Sequence, residues 1–433
     1  MSLTRWLSNH LGVSRRPASR MKTPAARRRF RPMLEGLEQR WVPSTLTVTK
    51  NLDSGAGSLR AEIAAAHNGD TIVFDPGLDG QTITLASGEL LINKNLTITG
   101  PGANQLTVSA NNSSRIFEVA KSKQVDLSGL TISNGQAFEG GGIENYGTLT
   151  VNNCTFSSDH NLGTGAANSD GGGINNYGSL TVSNSTFTNN SAVRGLGAGI
   201  YNHSSGTLTL TSTVLSNNTG QAINNDGSVT INGCTFANNT AGERGAIDSG
   251  GPMTISNSSF SGNTTNTEGG AIHGANMTIT GCTFSNNSAS GSGGAIGAGN
   301  VTIIGCTFTN NSAPQGGAIY VAGTGVTVQS STLQYNSAGS GGALWVRNSE
   351  SLTVDGSTIS YNTASTAGGG IYISNFAGGV GGTVTVKNSS TIVNNSAPVG
   401  FGADVYNLGT LYVDSSSMSK IGIVDGNGAV IPI

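Results

Sequence analysis

The sequence predicts an all-β parallel solenoid, three short strands per coil stacked into three sheets, with a helix over its N-terminal end. Three observations predict it. First, nine asparagines recur at one place in a repeat: Asn190, Asn218, Asn239, Asn263, Asn287, Asn311, Asn336, Asn362 and Asn395. Each lies three residues after an apolar anchor (Phe187, Leu215, Phe236, Phe260, Phe284, Phe308, Leu333, Ile359, Ile392), and the anchors are 28, 21, 24, 24, 24, 25, 26 and 33 residues apart. A period of this size marks a stacked repeat. Second, Gly is 65 of 433 residues, Pro is 10 and charged residues are 10%, where soluble domains carry about 25% charge. Third, each regular unit reads as three alternating runs broken by turns, as at 301–303, 305–313 and 316–321.

The chain divides into three parts. Residues 1–44 hold ten Lys/Arg and two Glu, while the rest carries a formal charge of −10. This is a basic arm on a mildly acidic body. An acidic body excludes nucleic acid as a partner, because phosphate contacts need Lys and Arg. There is no run of 18 apolar residues, so no membrane-spanning helix is expected. Residues 45–70 contain a strand and the one convincing amphipathic helix. Ser58 can N-cap it, and Leu59, Ile63 and Ala66 share a face. Such a helix would cover the open apolar end of a coil stack. Residues 71–433 are the coil body, regular over about 130–407.

Alternation puts the anchors, and the Ile of each Gly-rich strand, inside. The nine asparagines fit a buried corner, where each amide can donate to the next coil and accept from the previous one. They read as a structural ladder remote from any ligand. Paired glycines before each inward Ile, as at Gly341-Gly342, allow a sharp turn. Cys154, Cys234, Cys282 and Cys306 each precede an anchor by two residues, where other repeats have Ser or Thr. They read as small buried side chains, with neither disulfide geometry nor zinc spacing.

A G-G-A-[IL] element paired with an F-x-x-N element, as in Gly270-Ala271-Ile272 with Phe260 to Asn263, resembles the polymorphic outer membrane protein repeat of bacterial surface passengers. The resemblance covers roughly 130–407. It implies a right-handed parallel β-helix, similar in shape to pectate lyases, and an adhesive or surface role. Passengers of this kind are often followed by a membrane β-barrel. None follows here before Ile433, so a freely secreted or peripherally attached protein is expected. Leu34, Glu35, Leu37, Glu38, Arg40, Pro43 and Ser44, after the basic run Arg27-Arg28-Arg29, resemble a short bacterial export leader. Together these imply a secreted or cell-surface location.

Two candidate sites lie in the outward column that follows each inward Ile. One is polar: Glu144, Asp248 and His273, with Arg244 beside Asp248. It reads more readily as an exposed polar set than as a catalytic or metal site. The other is aromatic: Tyr320, Trp345, Tyr372 and Tyr406, with Tyr201 earlier. Exposed consecutive rings suggest a glycan-binding strip, against a cross-coil ladder that only stabilises the sheet. No catalytic residue, metal ligand or cofactor is assigned. The expectation is a structural, adhesive or glycan-binding protein without catalysis, whose partner is a polysaccharide or another surface protein. The alternative is a polysaccharide lyase or glycoside hydrolase acting on acidic polysaccharide, and Ca²⁺ enters only there. An enzyme would show at least three acidic residues and one Arg on adjacent coils of one face. Oligomeric state stays open.

Overall fold

The computed structural model describes residues 42–162, 170–192, 196–375 and 380–433. The leader pattern and basic run therefore lie outside the described residues, except for Pro43 and Ser44. From residue 43 onward the chain winds as a parallel β-solenoid. Every strand pairs in parallel with the strand one coil away, and equivalent residues meet in register, as Phe260 with Phe284 and Phe284 with Phe308.

Three ladders run the length of the stack. The first begins at Leu90–Ile92 and passes through Phe117–Val119, Ile143–Asn145, Ile174–Asn176 and Val405–Asn407 to Val424–Asp425. The second begins at Thr45–Val48 and ends at Ala429–Pro432. The third contains 13 strands, from Gln81–Thr84 to Thr391–Val393. The first two sheets join where Ile272–Thr280 and Ile296–Ile304 run unbroken from one into the other. A narrow fourth ladder of 6 strands lies at the corner beyond the third sheet.

Like stacks on like inside. Phe236, Phe260, Phe284 and Phe308 are fully buried, and their rings stack at 4.7, 4.8 and 4.6 Å. These separations match the strand spacing of about 4.8 Å, so the coil pitch itself brings the rings into contact.

The asparagine ladder forms as the sequence predicts. Eight steps run from Asn190 to Asn395, each with Nδ2 donating to the next Oδ1 at 2.9–3.2 Å. Each amide also donates backward, as Asn287 does to the Phe260 carbonyl at 3.0 Å. Each Oδ1 accepts a second bond from a backbone N–H, as Asn311 does from Asn287. The side-chain polar atoms of the nine asparagines are thereby satisfied, which burial requires. Two aspartates end the ladder. Asp404 Oδ1 accepts from both nitrogens of Asn395 at 3.0 and 2.9 Å. At the other end Asp159, three residues after the anchor Phe156, donates its backbone N–H to Asn190 Oδ1 at 2.9 Å. Its Oδ2 is buried without a partner, and burial pushes its carboxyl far above the usual carboxylate range. The neutral acid is the form this interior position favours.

The helix is Leu59–Ala65. Ser58 Oγ accepts from Ala61 N at 3.2 Å, and Leu59 and Ile63 are buried against the first coils. All four cysteines are free and buried, with Cys282 N donating to Cys306 Sγ at 3.3 Å. Gly341 has φ +66°, and a Cβ there would collide with the Leu344 carbonyl. That turn brings the chain back over the outward face of its own strand.

A second amide ladder went unread in the sequence. Asn145, Asn176, Asn202 and Asn225 link Nδ2 to Oδ1 at 2.7 Å per step, and Asn225 donates to Ser249 Oγ at 3.0 Å. The signal was present: each stands two residues after the inward Ile of its coil, at Ile143, Ile174, Ile200, Ile223 and Ile247.

Candidate functional site

The outward column of the first sheet is continuous. Pairing places Glu118, Glu144, Asn175, Tyr201, Asn224, Asp248 and His273 on successive coils. Farther on, Tyr320, Trp345, Tyr372 and Tyr406 continue it.

The early coils gather a carboxylate cluster around Arg115. Arg115 Nη1 lies 2.7 Å from Glu89 Oε2 and 3.3 Å from Glu118 Oε2, and Nη2 is paired with Glu144 Oε2. Arg115 also donates from Nε and Nη2 to the Glu139 carbonyl, at 3.2 and 3.1 Å. Glu144 is 3% exposed. Burial raises its carboxyl above the ordinary range, and the nearby Glu139 charge acts in the same direction. Glu118 is raised too, by burial and then by the charge of Glu89.

Two phenols complete the cluster on adjacent coils. Tyr146 donates its hydroxyl to Glu144 Oε1, and Tyr177 donates to Glu139 Oε2 at 3.0 Å. Their rings stack at 5.0 Å. Both hydroxyls are held in the protonated form by burial and by the carboxylates they face, Tyr177 being pushed up to about 12. Tyr146 is 38% exposed and is the reachable end of its pair. His203 stacks on Tyr177 at 3.7 Å and bonds Asn175 Oδ1 at 2.9 Å, and burial lowers its basicity. The turn one coil below Tyr146 carries Lys121 and Lys123, with the Tyr146 and Thr148 amides donating to the Val119 and Lys123 carbonyls. Glu144 was visible in the sequence. Arg115, Glu89, Glu118, Glu139, Tyr146 and Tyr177 went unread: Glu89, Arg115 and Glu118 precede the regular repeat and Glu139 lies between strands, while Tyr146 and Tyr177 each stand three residues after an inward Ile, Ile143 and Ile174, a spacing that could have found them.

The predicted polar set does come together. His273 Nδ1 is 2.8 Å from Asp248 Oδ1, and Arg244 Nη1 is 3.4 Å from Asp248 Oδ2. A cavity of 240 Å³ is lined by Glu243, Arg244, Thr267, Glu268 and His273. It lies five coils from Glu144, roughly 24 Å at about 4.8 Å per coil. The cavity is thus not at the Arg115 cluster.

The aromatic strip differs from expectation. Tyr320, Trp345, Tyr372 and Tyr406 do stack across coils, at 5.1, 6.1 and 5.6 Å. However, Tyr320 is 7% and Trp345 is 3% exposed, and Tyr372 and Tyr406 are half-buried. The rings leave the interior, as alternation requires, but the glycine corners fold back beside them, Gly341 lying against Trp345 Cβ. This strip is not the open row of rings that alternation alone implied. The asparagine column likewise supplies no ligand-facing atoms, since its amides are saturated inside.

Among the described residues, no group of three or more His, Cys, Asp or Glu side chains is arranged to hold a metal ion. At the carboxylate cluster, Arg115 occupies the space between the acids. The residues present therefore do not fit a Ca²⁺ cage. Among the described residues no helix is long and apolar enough to cross a membrane.

A family model described as a right handed beta helix region matches residues 170–333 and again 247–429. No curated protein matches the chain. Similar solved structures include a mannuronic acid specific polysaccharide family 6 lyase from human gut microbiota, at 10% identity, covering 89% of this chain and 91% of that one, TM-score 0.40. Another is a PL6 family polysaccharide lyase from Pseudopedobacter saltans, at 12% identity, 90% and 92% coverage and TM-score 0.38. A third is a PL6 alginate lyase in complex with a trisaccharide, at 14% identity, 90% and 86% coverage and TM-score 0.39. At these identities the likeness concerns the path of the chain and no individual residue. One expectation is corrected by the chain's own geometry. The reading of a structural or adhesive protein without catalysis is withdrawn, because Glu89, Glu118 and Glu144 gather around Arg115 on adjacent coils, which is the mark set for an enzyme.

Proposed function

We propose that this chain, which belongs to the right-handed β-helix family, is a polysaccharide lyase that acts on an acidic polysaccharide at the Arg115 cluster. The observation that carries the reading is the pair of phenol–carboxylate couples, Tyr146 with Glu144 and Tyr177 with Glu139, on adjacent coils. Lyase action on a uronate removes the proton beside the carboxyl group, breaks the glycosidic carbon–oxygen bond and leaves a carbon–carbon double bond. It needs one group that takes a proton and one that returns a proton to the leaving oxygen. Here Tyr177 takes the proton from the sugar carbon as its own hydroxyl proton passes to Glu139 Oε2. Tyr146 gives its hydroxyl proton to the leaving oxygen and is reprotonated from solvent through Glu144, whose raised carboxyl eases that uptake. Arg115 fixes Glu144 and is a positioning residue. Lys121 and Lys123 supply positive charge for the polymer's carboxylates. The side of a solenoid offers a long surface along which a polymer can lie.

The test is incubation of the full chain with alginate, pectin and other uronic-acid polymers, with and without calcium. Unsaturated ends, read by their ultraviolet absorbance, are the expected product. If no polymer yields them in either condition, the reading is overturned.

We also read the protein as exported. The leader pattern in residues 34–44 and the likeness of its repeats to those of surface passengers support this, as does a polymeric substrate too large to enter a cell. Deleting residues 1–44 should retain the protein inside the producing cell, and undiminished secretion would refute the leader.

A further inference from the structure

A second aromatic pair lies far from the first sheet, on the corner that carries the asparagine ladder. Between the third sheet and the fourth ladder, each coil has one turn residue just before its ladder asparagine. These residues adopt positive φ: Asn189 at +57°, Asn217 at +55°, Asn238 at +55°, Gly262 at +64°, Asn286 at +56°, Asn310 at +57° and Asn394 at +60°. Asparagine and glycine are the residues that enter this region at least cost. Two consecutive coils break the pattern with Tyr335 and Tyr361, both at φ +59°. A bulky ring there holds the backbone in a region it disfavours, and an outlier of that kind is a reason to look for function.

The surroundings add a second, independent observation. Tyr335 is 55% and Tyr361 49% exposed, so burial does not repay the strain. Their rings stack at 5.5 Å with planes 13° apart, presenting one raised aromatic block on an otherwise small-residue surface. The flanking turns, 309–312, 334–337, 360–363 and 393–396, hold Thr, Ser, Asn, Gln and Val and no charged residue. Gln334 Nε2 already donates to Ser360 Oγ at 3.0 Å, bridging the two coils beside the rings. Apolar ring surface rimmed by uncharged amides and hydroxyls matches a sugar, which offers C–H faces and hydroxyl edges.

We infer that Tyr335 and Tyr361 form a carbohydrate-docking site, separate from the Arg115 cluster, that holds a sugar unit of the polysaccharide substrate. The inference rests on the reading of the protein as polysaccharide-active. It concerns retention of the polymer and not the bond-breaking step. The pair keeps the enzyme on a long chain while the first sheet does the chemistry.

The test compares wild type with the Tyr335→Asn/Tyr361→Asn double variant. Asn is the residue that neighbouring coils use at this turn, so folding should be kept and the melting temperature should rise by a few degrees as strain is relieved. In affinity gels containing alginate or pectin, the wild type should be retarded and the variant bound roughly three- to tenfold more weakly. Turnover of short soluble oligosaccharides should be unchanged. Equal retardation of the two proteins, or no retardation of the wild type by any polymer, overturns the docking site. Light scattering that shows the variant losing a wild-type oligomer, with retardation unaltered, would assign the pair to self-association and also overturn it. Retardation that depends on the tyrosines but is accompanied by no turnover would remove the lyase reading and leave the docking site standing.

Discussion

The coils around 143–249 and those around 319–373 share one backbone and differ in what they do with it. In the earlier coils the outward position holds Glu144, Asn175, Tyr201, Asn224 and Asp248, and the next residue inward is the amide of Asn145, Asn176, Asn202 or Asn225. In the later coils the same positions hold Tyr320, Trp345 and Tyr372, followed by Val321, Val346 and Ile373. The earlier region keeps polar groups at a corner and charge outside. The later region replaces both with packing. Both obey the same register, so the coil fixes an address and leaves its chemistry open. A wall of stacked rings resists unfolding, while a column of acids and phenols sets exchangeable protons side by side.

The largest expected effect breaks the earlier region alone. Tyr146→Phe removes the exposed hydroxyl of the Glu144 pair, and the rate of polymer cleavage should fall by about 10²–10⁴, with the melting temperature nearly unchanged. Initial rates on the best uronic polymer measure this, and an unaltered rate would show that Tyr146 is no part of the site. The matching change in the later region is Trp345→Ala. It should cost about 3–5 kcal/mol of stability through the cavity it leaves, read as a lower urea midpoint, and should spare the chemistry of the folded fraction.

A change at the asparagine ladder affects both regions, because both depend on its register. Asn287→Ala leaves the Asn263 side-chain amide and backbone N–H without their shared acceptor and removes one of the two donors to Asn311 Oδ1, the backbone N–H of residue 287 remaining. A loss of about 1–3 kcal/mol is expected. A midpoint equal to wild type would mean the ladder is ornament. The smallest effect has the opposite sign. Asp159→Asn gives the ladder its missing amide and should stabilise the fold at neutral pH by about 1 kcal/mol. The pH dependence follows from the raised carboxyl. Because the folded state holds the proton more tightly than the unfolded state, the Asp159 contribution is present below the unfolded carboxylate value and is lost as pH rises through the folded one. Wild type should therefore gain stability relative to the variant as pH is lowered from neutrality. Parallel curves for the two proteins would show that Asp159 is ionised in place.

Much of this molecule is legible in its sequence because a stacked coil repeats one local solution. The anchors at Phe236 to Phe308, the nine-asparagine ladder, the Ser58-capped helix and the buried cysteines all follow from period, alternation and capping, which act over a few residues or one coil. The pairing of His273 with Asp248 follows from the same register. The ladder of Asn145 to Ser249 was open to the same reasoning, at two residues after each inward Ile.

The Arg115 cluster was not legible. Arg115 and Glu89 come from irregular early coils and Glu139 from between two strands, so their meeting depends on how those segments fold over the first sheet, whereas Tyr146 and Tyr177 share a register that their spacing from Ile143 and Ile174 already gives. The exposure of the aromatic column was likewise beyond reach: alternation sends Trp345 outward, and only the folded stack, with Tyr320 and Tyr372 against its ring and the Gly341 turn near its Cβ, decides that it is covered. Order along the chain sets which residues stack, because hydrogen bonding between coils permits one register. What lies over that stack depends on contacts between segments with no common period, and those exist only once the chain has folded.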